Sequence, residues 1–270
     1  MQLEDYLKRI HYDGPLTPTE RTLAALQHQH LLHIPYENID VQQRCPLDFD
    51  IQRIFNKLVH DQRGGWCYEM NGLLGWALEQ IGFTVTRLVG AVDRAKRGDE
   101  AWGNHLVLRV DLDAPYIVDV GIGDGLRYPV PFSTASFVQG DLPFSVESLT
   151  DTTWRVHNHP FSNVASFDLE STPADESVLA NKCQWLQTDP TSPFRQVLIV
   201  QRFTEDAIYA LIGRMLNQIT PTGVQTKTLD SIDELHQVLQ QRFGLTVDIS
   251  NLWEGICATH EQMLQRKAQD

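Results

Sequence analysis

The sequence predicts an α+β fold in one compact body, on three observations. Apolar residues recur at helical spacing through the first third. Segments rich in Val, Leu and Ile, bounded by Gly, Asp and Pro, fill the middle. The last third mixes the two signals and contains one strongly amphipathic helix. Residues 1–10 read as a short helix stopped by Asp13-Gly14-Pro15. Thr17-Pro18-Thr19-Glu20 then caps a second helix, whose face is Leu23, Leu26, Leu31 and Leu32 and which ends at Ile34-Pro35. Asp50 caps a third, with Ile51, Ile54, Phe55 and Leu58 on one side, and a fourth starts near Gly65 and runs to Gln80, closed by Gly82.

Strands are expected at 83–92, 104–112 and 115–121, then at 154–156 and 165–169, giving a barrel or strongly bent antiparallel sheet. Residues 194–203 read as a further strand. Residues 230–245 read as a helix, with Ser231 and Glu234 as a capping box, Leu235, Val238, Leu239 and Phe243 as the apolar face, and Gly244 as C-cap.

The chain has 270 residues, 42% of them hydrophobic and 21% charged, enough apolar material for a sizeable core and no sign of low complexity. Lys and Arg number 22 against 35 Asp and Glu, so a net charge of −13 argues against nucleic acid or an anionic membrane as partner. No apolar run reaches the roughly 18 residues of a membrane span, and residues 1–10 lack the apolar stretch of a signal peptide. The four cysteines show no CxxC spacing, and His28, His30 and His33 do not share one helical face. A disulfide framework and a metal site are therefore not expected, and the chain reads as cytoplasmic with reduced thiols.

Chemistry concentrates at Arg63-Gly64-Gly65-Trp66-Cys67-Tyr68-Glu69-Met70-Asn71. Two glycines allow close backbone approach and unusual dihedrals, and the start of a helix offers unpaired N–H groups and a partial positive charge. Both favour a thiolate at Cys67, and the same N–H groups suit an oxyanion. A base is also needed. His105 begins one predicted strand and Asp119 lies in the next. With the hairpin centred on Asp113, Asp119 faces Val107, two residues from His105, so the two side chains are diagonal neighbours on one face, roughly 7–8 Å apart at Cα. A slip of one residue would separate them. A Cys67–His105–Asp119 triad for cysteine-dependent acyl transfer or hydrolysis is the resulting expectation. Arg63 and Glu69 are expected to form an internal ion pair. Tyr36, Glu37 and Asn38 read as a brace around the site, and Gly121-Ile122-Gly123 as a strand end beside it rather than a dinucleotide loop, because no helix follows.

At these residues the chain resembles the arylamine N-acetyltransferases. Residues 63–71 match that family's RGG-aromatic-C-aromatic-E-x-N motif, and His33-Ile34-Pro35-Tyr36-Glu37-Asn38 resembles its HxPxEN segment. His105 to Val110 resembles its histidine-led strand, Val118 to Gly123 its VD-[AV]-G-x-G segment, and Ser192-Pro193-Phe194 and Phe243-Gly244 also fit. The matches fall in the family's order between about residues 1 and 255. The resemblance implies a helical bundle (1–82), a β-barrel (83–190) and an α/β lid (191–270), around a core like that of cysteine proteases. It implies ping-pong transfer of acetyl from acetyl-CoA, without a metal, to an aromatic amine, hydrazine or N-hydroxyarylamine. Cys67 would be the nucleophile, His105 the base and Asp119 its orienter. Trp66, Tyr36, Gly103, Asn104, Ile122 and Gly123 are the candidate contacts for substrate and CoA. Two departures stand out: Ile122 where the family often has Phe, and Gly103-Asn104 before the histidine. A related amide synthase or thioester hydrolase with the same triad is the alternative.

Overall fold

A computed structural model describes residues 1–267. The first third is α1 (Leu3–Arg9), α2 (Glu20–His33), β1 (Tyr36–Glu37), α3 (Ile39–Gln42), α4 (Ile51–Phe55), which runs on as a π-helical turn to His60, and α5 (Cys67–Ile81). The cap signals act as expected: Thr22 N donates to Thr19 Oγ1 at 3.2 Å and Arg53 N to Asp50 Oδ1 at 2.9 Å. Helix α5 starts at Cys67, two residues later than expected, and ends at Gly82, whose φ of 104° closes it.

The middle third is β2 (Thr84–Val92), α6 (Arg94–Arg97), β3 (His105–Asp111), β4 (Pro115–Val118), β5 (Val130–Pro131), β6 (Ala135–Gln139), β7 (Leu142–Ser148), β8 (Thr153–His157) and β9 (Ser166–Glu170). These strands form one antiparallel eight-stranded sheet in the order β5-β4-β3-β2-β9-β8-β7-β6. Its two edges, β5 and β6, are separated by only three residues of chain, so the sheet must curl to bring them together. One face of α5, with Leu73, Leu74, Ala77 and Leu78, packs into the same core as Leu88, Val107, Leu108 and Val110 of β2 and β3. Each such side chain removed from water contributes about 1.5–3 kcal/mol.

The last third is α7 (Glu176–Thr188), α8 (Pro193–Gln196), β10 (Ile199–Phe203), β11 (Ile208–Ile212), β12 (Met215–Thr220), β13 (Gly223–Thr228), α9 (Ile232–Val238), a π-helical turn to Phe243 and α10 (Trp253–Lys267). The expected strand 194–203 is corrected here. Ser192 caps a helical turn with Pro193 at its first position, and the strand begins only at Ile199. The meander β11–β13 and helix α7 were not legible in the sequence. At α9, Glu234 N donates to Ser231 Oγ, but the Glu234 carboxylate reaches back to Asp230 N at 2.8 Å rather than to Ser231 N.

The second sheet has the order β1-β10-β11-β12-β13, so the two residues of β1, from the helical first third, form its edge against β10. Tyr36 pairs there with Gln201, and also bridges to Gly65. This strand ties the last third to the loop that precedes Cys67. Among the described residues, no helix is long and apolar enough to cross a membrane.

Candidate active site

The loop before α5 is held from below by buried charges. Arg63 Nη2 donates to Glu37 Oε1 at 2.7 Å and to Asp40 Oδ1 at 2.9 Å. Lys57 Nζ reaches Asp40 Oδ2 at 2.7 Å and both oxygens of Glu69 at 2.9 Å. The expected Arg63–Glu69 pair is therefore corrected: Arg63 pairs with Glu37 and Asp40, and Lys57 is the partner of Glu69. Burial pushes the Glu69 carboxyl above its ordinary value although Lys57 pulls it back. Burial opposes the Lys57 charge too, but Glu69, Glu37 and Asp40 outweigh it and hold Lys57 well above its ordinary value. Glu69 Oε2 also accepts from Trp66 N at 3.3 Å, fixing the first turn of α5.

The glycines before Cys67 serve approach rather than unusual dihedrals, since neither has a positive φ. A Cβ at Gly64 would sit 2.1 Å from Pro35 O, and one at Gly65 2.8 Å from Glu69 Cβ.

Strands β3 and β4 pair in the expected register, with Leu108 opposite Val118 and Asp111 opposite Pro115. His105 Nε2 lies 2.9 Å from Asp119 Oδ2, and both residues are buried. Asp119 Oδ1 accepts from Asn71 Nδ2 and Gly121 N, each at 2.7 Å. Asn71 Nδ2 also donates to Leu106 O, and Asn71 Oδ1 accepts from Val120 N. Asn71 lies one helical turn beyond Cys67 on α5, so it locks helix, β3 and the Asp119 segment together. That i, i+4 spacing was the available signal for its role. Two groups stand beside the Cys67 sulfur: its thiol approaches Asn104 O at 3.8 Å, and the His105 ring lines the same cavity. With Nε2 committed to Asp119, Nδ1 is the nitrogen left for sulfur. Burial alone would lower the His105 pKa, but Asp119 and Cys67 together outweigh it and push it up to about 10.

Gly121 closes the site from the other side. A Cβ there would lie 2.6 Å from Asn71 Nδ2 and 2.7 Å from Cys67 Cβ. Gly121→Ala is expected to cost about 1–3 kcal/mol in urea unfolding, because the Asn71 amide is pinned by its hydrogen bonds and Cys67 Cβ cannot swing aside. An unchanged midpoint would mean that the segment moves freely.

A cavity of about 670 Å³ opens over Cys67 and His105. Tyr36, Asn104, Ile122 and Gly123 line it, while Asp119 stands behind His105. Trp66 and Gly103 are not among the lining residues. Trp66 is buried edge-on between Tyr68 and Phe194, at 5.1 and 5.6 Å, and Gly103 O accepts from Tyr68 Oη at 2.6 Å. Both brace the wall from behind. Lining residues that sequence reasoning missed include Asn163, Val164, Ile199 and Gln201, brought in by chain segments distant in sequence. The charged lining residues are Asp93, Arg97, Glu100 and Lys182, two of each sign, so the overall −13 does not carry over to the cavity.

Residues 20–252 match the sequence model of an N-acetyltransferase family. The arylamine N-acetyltransferase of Mycolicibacterium smegmatis is 33% identical, over 93% of this chain and 94% of that protein. An arylamine N-acetyltransferase / N-hydroxyarylamine O-acetyltransferase of Salmonella typhimurium is 31% identical, over 91% of this chain and 89% of that one. Among solved structures, the Mycobacterium marinum arylamine N-acetyltransferase in complex with CoA superposes with a TM-score of 0.86 at 28% identity. That match covers 94% of this chain and 98% of the other. With a match of this extent and a cysteine, a histidine and an aspartate converging under one cavity, the chain belongs to the arylamine N-acetyltransferase family.

Proposed function

We propose that this protein transfers acetyl from acetyl-CoA to the nitrogen of arylamines and arylhydrazines, and to the oxygen of N-hydroxyarylamines, by a ping-pong mechanism through acetyl-Cys67. The observation that carries the reading is the line Cys67–His105–Asp119 at the floor of the cavity. His105 takes the thiol proton, and the resulting imidazolium is stabilised by the Asp119 carboxylate. Cys67 attacks the acyl carbonyl while the first N–H groups of α5 face the developing oxyanion. His105 then returns its proton to the departing CoA sulfur, leaving the thioester on Cys67. In the second half, His105 accepts a proton from the attacking amine as the carbon–nitrogen bond forms and the carbon–sulfur bond breaks.

The CoA bound by the Mycobacterium marinum relative supports the choice of donor. The apolar wall formed by Ile122, Val164, Ile199 and Phe194 supports an aromatic amine substrate. The division into bundle (1–82), barrel (83–190) and lid (191–270) around a cysteine-protease-like core is part of the same reading. The last three residues of the lid segment lie outside the described residues. Cytoplasmic residence belongs to it as well, since four cysteines that form no disulfide fit a reducing compartment.

The test is intact mass after mixing with acetyl-CoA and no amine. One acetyl adduct is expected in the wild type and none in Cys67→Ala. An adduct that persists in Cys67→Ala would overturn the reading. Labelling from a carrier-protein thioester with acetyl-CoA inert would replace it with the amide-synthase alternative.

A further inference from the structure

Asp124 is completely buried, and among the described residues no Lys, Arg or His side chain forms an ion pair with it. Its carboxylate is met by neutral donors instead. Ser162 Oγ reaches Oδ1 at 3.0 Å, while Asn163 N and Asn163 Nδ2 reach Oδ2 at 2.8 and 2.9 Å. His159 Nε2 donates to the Asp124 carbonyl at 2.8 Å, and its Nδ1 accepts from Phe161 N. Burial keeps His159 below its ordinary value despite the neighbouring carboxylate, so this ring is neutral. A buried carboxylate without a cation is tolerated only when hydrogen bonds saturate it. Here those bonds bind the β8–β9 loop to the segment that follows Asp119.

The consequence falls on Asn163. Its NH2 group is committed to Asp124, and the reversed amide would set its oxygen against a carboxylate oxygen. The orientation is therefore fixed chemically, and Oδ1 is the end left over. That oxygen has no hydrogen-bond partner among the described residues, and Asn163 is exposed and lines the cavity beside Ile122 and Val164. The charged lining residues come from elsewhere, residues 93–100 and Lys182. The Ile122–Val164 wall thus suits an aromatic ring, with one fixed hydrogen-bond acceptor set into it.

We infer that Asn163 Oδ1 is a specificity-determining contact that accepts a hydrogen bond from an N–H on the atom next to the attacking nitrogen of the substrate, and that Asp124 is the residue that positions it. This rests on the acetyl-transfer reading above. An arylhydrazine carries such a donor on its inner nitrogen; a simple arylamine has none there, because the N–H it keeps after His105 takes one proton lies on the attacking nitrogen itself. A fixed polar group discriminates strongly against a substrate that leaves it unpaired.

The experiment compares kcat/KM for phenylhydrazine and for aniline, with acetyl-CoA as donor, in wild type, Asn163→Leu and Asp124→Asn. Asn163→Leu is expected to lower the hydrazine-to-amine ratio about tenfold, the worth of one hydrogen bond. Asp124→Asn frees the amide to turn and is expected to lower the same ratio about threefold. A merely structural role for Asp124 would reduce both substrates alike and leave the ratio in place. If Asp124→Asn does not fold, the exposed Asn163→Leu decides alone. An unmoved ratio in Asn163→Leu, or an equal loss for both substrates, overturns the inference. Intact mass on each preparation separates the two levels. Absence of acetyl-Cys67 in the wild type sinks the acetyl-transfer reading, whereas a labelled enzyme with an unmoved ratio sinks this inference alone.

Discussion

Asp119→Asn is expected to slow acetylation of Cys67 by about four orders of magnitude while leaving the fold in place. The reason lies in which end of the new amide faces which neighbour. Asn71 Nδ2 and Gly121 N both donate to Oδ1, so the amide oxygen stays on that side. The NH2 group is then placed against His105 Nε2, which must become an acceptor. The ring proton moves to Nδ1, facing sulfur, and no lone pair remains there to take the thiol proton.

The same change removes the main support of the imidazolium. In the wild type His105 is pushed up to about 10 from 6.5, so its charged pair contributes stability that is complete below about pH 6.5 and is lost as pH rises through about 10. In Asp119→Asn that window should vanish. Single-turnover labelling from acetyl-CoA measures the rate, and NMR titration of His105 measures the window. Labelling within tenfold of the wild type would remove Asp119 from the proposed triad.

Lys57→Met is expected to cost about 3–5 kcal/mol of stability, the penalty for breaking a buried charge pair from one side. Lys57 is one of the two cations set among Glu69, Asp40 and Glu37, and the Glu69 side chain is only 3% exposed. Without Lys57, Glu69 stays buried with its charge uncompensated. Burial already raises the Glu69 carboxyl, and losing the ammonium raises it further. A carboxyl raised on folding takes up protons in the native state, so the deficit of the variant should grow as pH rises through that value and shrink in acid. Glu69→Gln added to Lys57→Met should restore part of the loss. Urea unfolding at two pH values reads all of this. A deficit under 1 kcal/mol, or one independent of pH, would show that the pair is effectively solvated.

How much was legible follows the reach of each interaction. The placement of Cys67, His105 and Asp119 could be read because each link is local or set by period. Cys67 starts a helix after two glycines, and His105 and Asp119 share a face because a tight turn at Asp113 sets the register of β3 and β4. The helix caps at Thr19, Asp50 and Ser231 were legible for the same reason, since each bonds three residues along. Trp66 could be read as core or as a cleft wall, because an aromatic beside a nucleophile suits either, and packing between Tyr68 and Phe194 turned it inward. Residues 194–196 read as the start of a strand because Phe194 leads into the apolar run 197–200, which says nothing of the Ser192 cap that coils them.

The sequence by itself determined the family motif, the elements with strong period and caps, and the face on which His105 and Asp119 meet. These depend on backbone geometry repeated over a few residues, which composition and spacing encode directly. Only the tertiary structure decided that Lys57 rather than Arg63 neutralises Glu69, that β1 joins the sheet of the last third, and that Asp124 takes the NH2 end of the Asn163 amide. Asp124 and Asn163 stand 39 positions apart, and Tyr36 and Gln201 lie in opposite thirds of the chain. No local period links such pairs. They meet only when burial of the apolar faces brings their segments together, and the need to satisfy each buried polar group then selects the partner.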